Sequence, residues 1–468
     1  MPRNATYMGP RLKRIRRDLS LTQANFASDL EISPSYVALM ERNQRPVTAE
    51  LLLKLARTYR IDLAQLADDG IEDLTARLQA VLSEPLFTDI DLPAIDISDV
   101  TTSYPAFAEA LVRLHSAYSE EQLELAQRRE TTLGSVRTGQ LAPDPVSEVR
   151  NFLTARRNYF PLLDDTAAEV AAAASGFAGL ARRITEQHGL EVQLGPAEVM
   201  MGADRWHSVH HKRVYISQLL DESSRTFQLA VQLAHLEAQD PIDAVLGAAR
   251  FESENARSLA RRALVGYWAA ALVMPYRPFA RAAQRCRRDI EALGAEFGAS
   301  FEQVAHRLTT LQKPGEEGVP FFFIRVDRAG NVSKRLDGAG FPFARHGGGC
   351  PLWNVHACFA SPGEILTQML ELPDGQRFVS IARTVSTGGG SFSAPRTLRA
   401  VALACSEEHA GQVVYADGLE TVPPALIGVG CHLCHRPNCQ ARSAPPIGRE
   451  IRSDRYREAG VPYPFAGE

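Results

Sequence analysis

Cys431, Cys434 and Cys439 stand as C-x2-C-x4-C in the phrase GVGCHLCHRPNCQARSAPP, residues 428–446. Three thiolates so spaced in a Gly/Pro-framed loop can converge on one metal centre, and the fourth ligand must then come from elsewhere. Cys405, at the expected end of a strand, is the first candidate, followed by Cys350 in GGGCPLWNVH and then Cys358. Two chemistries compete for this set. An iron–sulfur cluster takes all-Cys ligation with one ligand often remote in sequence, whereas structural zinc would also accept His432 or His435. Cys286 reads as an inert thiol on a helix.

A second stretch is informative for what it lacks. RTFQLAVQLAHLEAQ, residues 225–239, resembles the zinc helix of the ImmA/IrrE-like metallopeptidases, where two histidines one helical turn apart hold the metal beside a glutamate that serves as base. Here Val231 and Gln232 occupy the first His and the Glu positions, and only His235 remains. A lone imidazole cannot build a three-ligand site, and Gln232 cannot take a proton from water. The expectation is a retired enzyme fold kept as a pocket, without catalytic residues. His207, His210 and His211 in RWHSVHHKR have no accompanying carboxylate pattern and read as a solvated strand or loop.

The elements that must position these groups begin with a DNA-binding head. Residues 21–45 read as a helix-turn-helix: Thr22 is an N-cap, Phe26, Ala27 and Leu30 fall at helical spacing, and Ser33 caps a second helix with Pro34 at its first position. Tyr36, Val37 and Met40 can turn inward while Ser35 reaches out, as recognition-helix residues do in the major groove. Residues 1–46 carry eight basic side chains against four acidic ones, in a chain of net charge −4. That local basic patch points to phosphate contact. Candidate DNA contacts are Arg14, Gln23, Ser33, Pro34, Ser35, Tyr36, Asn43 and Arg45. Thr48 should cap a further helix, with another short one near Asp62–Leu66. The spacing resembles a Cro/C1-type (XRE) repressor domain.

Length and composition set the frame. A chain of 468 residues exceeds one core and predicts several domains. The expected divisions are 1–70 for the head, 71–145 for a helical linker and dimerisation segment, 146–313 for a mostly α domain of ImmA/IrrE-like type, and 314–468 for an α+β sensor domain with an antiparallel sheet. The segment Leu82–Pro105 reads as a linker or strap, and Phe107–Arg129 as an amphipathic helix suited to pairing. Two heads matched to two half-sites of a palindromic operator imply a homodimer or higher oligomer. ARRNYFP, residues 155–161, is read as continuing a helix from Val146. After Pro314 the period becomes 2: a hairpin turns at Ala329–Asn331, and further strands are expected at Phe378–Val385, Leu398–Cys405 and Val413–Tyr415. The chain shows no signal peptide and no bilayer-length apolar run, so a cytoplasmic, membrane-free protein is expected.

Taken together, the XRE-like head, the degenerate ImmA/IrrE-like helix and the phrases FPFARHGGGCPLWNVH and GVGCHLCHRPNC resemble the short-chain fatty acyl transcriptional regulator family, which includes regulators of propionate catabolism and the glyoxylate bypass. The resemblance covers nearly the whole chain. It implies a non-enzymatic transcription regulator whose C-terminal part senses an acyl-CoA or related metabolite and in some members carries a [4Fe-4S] cluster, with zinc the alternative. An acyl-CoA asks for cations near its phosphates and an aromatic for its adenine. Arg156, Arg157, Tyr159, Lys334 and Arg335 are the candidate effector contacts.

Overall fold

The computed structural model describes residues 12–13, 16, 21–42, 44–59, 71–83, 87, 90, 93–132, 145–341, 349–388, 396–452, 456 and 460–465. The chain divides into two compact units, residues 1–130 and 131–468. In the first, α1 (Gln23–Asp29), α2 (Pro34–Glu41) and α3 (Ala49–Tyr59) form the head. Thr22 caps α1 by accepting from the Asn25 N–H, and Ser33 caps α2 by accepting from that of Tyr36. Phe26, Ala27, Leu30, Val37, Met40, Leu51 and Leu55 share one core, with Tyr59 stacked on Phe26 at 5.6 Å. The short helix expected near Asp62–Leu66 lies outside the described residues.

The same unit continues with α4 (Ile71–Leu82), α5 (Ala94–Ser103) and α6 (Pro105–Thr132). The stretch read as a linker at Leu82–Pro105 thus contains a helix. Ile97 buries with Leu74, Leu78 and Val81, and the Thr101 hydroxyl meets that of Thr75 at 2.7 Å. The reading failed because Pro93 and Pro105 look like breakers, whereas each stands at or just before a helix start, where proline costs little.

In the second unit α7 (Pro145–Thr154) stops short of ARRNYFP. Arg157 and Asn158 both adopt positive φ, 53° and 55°, so the phrase is a tight turn rather than a continued helix. Helices α8 (Pro161–Ala173) and α9 (Gly176–His188) follow, then a three-stranded sheet, β1 (Glu191–Gly195), β2 (Arg205–Ser208) and β3 (Arg213–Ser217), in the order β1-β3-β2. Strand β3 is parallel to β1 and antiparallel to β2. Helix α10 (Glu222–Glu237), capped by Asp221, buries Leu229 and Leu233 with Val214, Ile216 and Trp268 of α12 (Glu254–Val273). Between them lies α11 (Gln239–Gly247). The run ends with α13 (Tyr276–Arg285), α14 (Ile290–Phe297) and α15 (Phe301–Leu308). Ser300 and Gln303 close a capping box on α15.

The C-terminal sheet has six strands in the order β5-β4-β8-β7-β6-β9. They are β4 (Phe322–Val326), β5 (Val332–Leu336), β6 (Leu366–Glu371), β7 (Arg377–Gly388), β8 (Arg396–Ser406) and β9 (Ala425–Leu426). All pairs are antiparallel except β6 with β9. Strand alternation sends Phe323, Val401, Leu403 and Cys405 to one face, where they share a core with α13–α15. Phe322, Ile324, Ala400, Ala402 and Ala404 face the other way, against Phe341, Cys350 and Trp353. The strand expected at Val413–Tyr415 is a 3₁₀ turn over Val414–Ala416, pinned by the Tyr415 hydroxyl, which accepts from the Ile290 N–H.

Candidate functional site

Four thiols come together on the second face of that sheet. Cys350, Cys431, Cys434 and Cys439 line one cavity with Gly428, Gly430, Arg436 and Arg442. The aromatic stack of Phe341 and Trp353, 5.4 Å apart, anchors the Cys350 segment, and the Trp353 indole N–H donates to Ser380 Oγ at 2.8 Å. Asn354 locks the same segment to β6, donating to the Leu366 carbonyl at 2.9 Å. The cysteine loop is tied to the end of β6 by the Ile427 N–H at 3.0 Å and by Arg436 at 2.7 Å, both on the Glu371 carbonyl. Cys405, the first choice for fourth ligand, is on the wrong face: one position along β8 from the face that carries the cavity, it packs with Leu403 and Val401. Burial pushes its thiol up to about 12. Cys350 is the residue the fold brings to the group. Cys358 is fully buried, its thiol pushed to about 11 by burial, and donates to the Val355 carbonyl.

The cavity's surroundings pull on its buried thiols in opposite directions, with burial the stronger. Burial raises the thiols of Cys350 and Cys434, and backbone N–H groups pull back: Gly428 and Leu352 on Cys350, Arg436 on Cys434. The Ser443 N–H donates to Cys431 Sγ at 3.4 Å. Arg442, 4% exposed, lies beside Cys434 with its Nε sealed from solvent and without an acceptor among the described residues. Gly428 is obligatory, since a Cβ there would stand 2.7 Å from Cys434 Sγ. Both histidines of the loop turn elsewhere: His432 Nδ1 meets the Pro445 carbonyl at 3.2 Å and His435 Nε2 that of Ile447 at 3.1 Å. Among the described residues, no three His, Cys, Asp or Glu side chains are gathered tightly enough to hold a metal ion. The thiols thus line a common space without closing on a single point.

The five expected effector contacts are not one group. Arg335 lines a polar cavity of about 120 Å³ with Asp337 and with Ser147, Arg150, Asn151 and Thr154 of α7. Asn158 donates to the carbonyl of the lining residue Asp337 at 2.8 Å, while Arg157, outside the lining, donates to Gln312 Oε1 at 3.0 Å. Asn158 Oδ1, Gln312 Nε2 and Asp337 Oδ1 are buried without hydrogen-bond partners among the described residues. Lys334 points to the opposite sheet face, over the Phe323 ring, where burial drives its ammonium down to about 8. Arg156 lies on the Phe152 ring at 4.3 Å. Tyr159 packs edge-on against Tyr276, with burial first and then the Asp164 and Asp165 charges pushing its hydroxyl up to about 12.

On α10, Gln232 is buried and its Oε1 accepts from Arg205 Nη1 of β2. His207 joins this group through Gln232 Nε2 at 3.4 Å, while His210 and His211 are exposed on the following turn. In the head, Ser33, Pro34, Ser35 and Arg45 are exposed at and beyond α2 and Tyr36 is half-buried. Gln23 is exposed, but its amide donates to Glu41 Oε2 at 2.7 Å, beside the Arg16–Glu41 ion pair at 2.6 Å. Sequence reasoning missed this internal use, although Arg16 and Glu41 were visible as opposite charges on facing helices. Arg14 and Asn43 lie outside the described residues.

A capped two-helix head of this geometry defines a helix-turn-helix DNA-binding protein, and the comparisons agree. Residues 12–66 match a helix-turn-helix domain, 185–309 an IrrE N-terminal-like domain, and 310–463 the C-terminal domain described as short-chain fatty acyl coenzyme A regulator. The chain is 41% identical over 98% of both lengths to the propionyl-CoA carboxylase regulator of Cereibacter sphaeroides. It is 37% identical to the HTH-type transcriptional regulator RamB of Mycobacterium tuberculosis, over 98% of each chain, and 36% to PrpR of the same organism, over 98% of this chain and 96% of PrpR. A solved Mycobacterium tuberculosis transcriptional regulator superposes with a TM-score of 0.65 at 36% identity, covering 69% of this chain and all of its own. The chain belongs to the short-chain fatty acyl coenzyme A regulator family, and it is a DNA-binding transcriptional regulator. Among the described residues no helix is long and apolar enough to cross a membrane.

Proposed function

We propose that operator binding by this regulator is set by two inputs in its second unit: a [4Fe-4S] cluster on Cys350, Cys431, Cys434 and Cys439, and an acyl-CoA-type effector at the polar cavity of Arg335 and Asp337. The observation that carries the first is the all-thiol lining with converging N–H donors and the unpaired Arg442 Nε. A cluster supplies a redox-active anionic centre when bound, and Arg442 and Arg436 would offset its charge. The all-cysteine set of candidate donors and the diverted histidines support a cluster over Cys3His zinc. The absorption spectrum with iron, sulfide and zinc analysis on protein purified without oxygen tests this. Brown protein with about four irons per chain, lost in Cys350→Ser and kept in Cys405→Ser, is expected; colourless protein holding one zinc would replace the cluster by a structural metal.

For the effector, a polar cavity lined by Arg150 and Arg335 supports an anionic, hydrogen-bonding ligand, and the relative named for propionyl-CoA carboxylase suggests its class. Arg335→Ala should weaken propionyl-CoA binding at least tenfold by calorimetry, with Lys334→Ala much less affected. Pairing of two copies is supported by the row Tyr104, Phe107, Leu114 and Tyr118, all exposed on or just before α6 at heptad-like steps. Leu114→Asp should yield monomers by sedimentation and lose affinity for a palindromic operator. An effector or cluster that binds two arrangements unequally shifts operator affinity, typically by ~1 to 3 kcal/mol.

A further inference from the structure

Arg442 is buried, at 4% exposure, where its neighbour Arg436 is half-buried, and its hydrogen bonds turn inward. Nη1 donates to the Cys434 carbonyl at 2.9 Å, Nη2 donates to the Arg436 carbonyl, and the Arg442 backbone N–H donates to the Cys439 carbonyl at 3.2 Å. One residue therefore staples the loop from Cys434 to Cys439, both of which line the thiol cavity with it. The guanidinium also lies on the Phe465 ring, its carbon 4.9 Å from the centroid, and Arg449 lies over the same ring at 5.6 Å. Phe465 is itself 4% exposed, and among the described residues from Ile451 onward it is the one that is buried. The segment that carries it is otherwise lightly held. Ile451 and Phe465 form a single antiparallel bridge, and the Arg452 N–H donates to the Pro464 carbonyl at 2.8 Å. Tyr456 and Tyr463 stand out in solvent.

We propose that Ile451, Arg452 and residues 460–465 form a strap on the cysteine loop, with Phe465 as its latch, and that release of the latch sets how fast thiol reagents reach Cys434 and how fast a bound metal leaves. The metal part rests on the reading of the thiol cavity as a metal site; the thiol part stands without it. While the ring lies on the guanidinium, water is kept from the N–H groups that hold the Cys434 and Arg436 carbonyls. Once the ring leaves, water competes for those groups and the loop loosens around Cys434, which is 8% exposed in the closed form. Burial of one phenylalanine with a cation–π contact holds such a latch shut by roughly a hundred- to a thousandfold. That is small enough for the strap to open by itself while the sheet beneath stays folded.

The test uses the full chain, stripped with a chelator and treated with iodoacetamide, the rate at each cysteine being read by peptide mass spectrometry. In Phe465→Ala the Cys434 rate should rise at least about tenfold with Cys405 unchanged, whereas Phe465→Tyr, which keeps the ring, should stay within about twofold of the unaltered protein. On protein reloaded with iron, release of the metal to a chelator should quicken in Phe465→Ala by a similar factor. Equal Cys434 rates in a folded Phe465→Ala would overturn the proposal, and so would a matching rise at Cys405, the mark of general loosening. Alkylation of Cys434 as fast as that of Cys431 in the unaltered, stripped protein would overturn it whatever the folding of the variants, since no latch would then be closed. If the unaltered protein takes up neither iron nor zinc, the metal reading of the cavity fails, and the alkylation rates still decide the latch.

Discussion

The two places in this chain where a metal is the obvious question differ in where their positive charge comes from. The thiol cavity gathers four cysteine sulfurs and backbone N–H donors around a space, with Arg442 buried alongside and its Nε without an acceptor among the described residues. The peptidase-like cleft has lost the first histidine and the glutamate, and a guanidinium from β2 stands against Gln232. The first is lined by side chains of metal-ligating type, whereas in the second the cation is a side chain of the chain itself.

The largest expected effect breaks the first half of that contrast. Gly428→Ala places a methyl 2.7 Å from Cys434 Sγ and 2.8 Å from its Cβ, so the loop must shift. Bound iron or zinc should fall as far as in Cys434→Ser, whereas Gly411→Ala, which meets nothing within 4 Å, should keep full occupancy. Equal metal content in both glycine variants would show that the loop tolerates displacement. Alkylation sharpens the same half. Cys405 and Cys358, pushed up to about 12 and about 11 by burial, should resist iodoacetamide at pH 8 in the native protein. Cys431 and Cys439, both half-exposed, should react once a chelator has stripped the site. Modified peptides identified by mass spectrometry separate the two classes.

Imidazoles in cation fields probe the second half. His306 is half-buried, and burial first, then Lys334, Arg307 and Arg325, hold it well below its ordinary 6.5. Its folded value lies under its unfolded one, so below pH 6.5 the unfolded chain takes a proton that the folded chain refuses. Stability is therefore complete above that pH and is lost as pH falls from there toward the folded value, at about 1.4 kcal/mol per pH unit for one group. His306→Leu should flatten the acid limb of the melting-temperature profile. Arg205→Gln should leave that limb in place, because it relieves only His235, whose ring is more exposed. Identical acid limbs in His306→Leu and the unaltered protein would rule out His306 as the source.

The helix-turn-helix was legible because caps are local chemistry: Thr22 and Ser33 each need only a backbone N–H three residues on. The three loop cysteines were legible for the same reason. The fourth was not, because choosing between Cys405 and Cys350 depends on which face of β8 looks at the loop, and one residue of register reverses the answer. The turn in ARRNYFP was hidden because positive φ at Arg157 and Asn158 leaves no mark in helical periodicity. Arg205 escaped notice because its meaning depends on Gln232, 27 residues away across the fold.

The smallest effect distinguishes residues that build a site from residues that use it, now in the head. Ser33 spends its hydroxyl on the Tyr36 N–H at 3.1 Å, so Ser33→Ala removes a cap and should cost about 1 kcal/mol of stability in that unit. Ser35, exposed one position into α2, makes no comparable contact among the described residues. Ser35→Ala should leave thermal stability unchanged and reduce operator affinity by a few fold while sparing non-specific DNA. The reverse pattern would move base reading away from the start of α2 and toward Arg45, because a side chain that caps a helix has its lone pair turned into the protein and one that reads a base must keep it turned out.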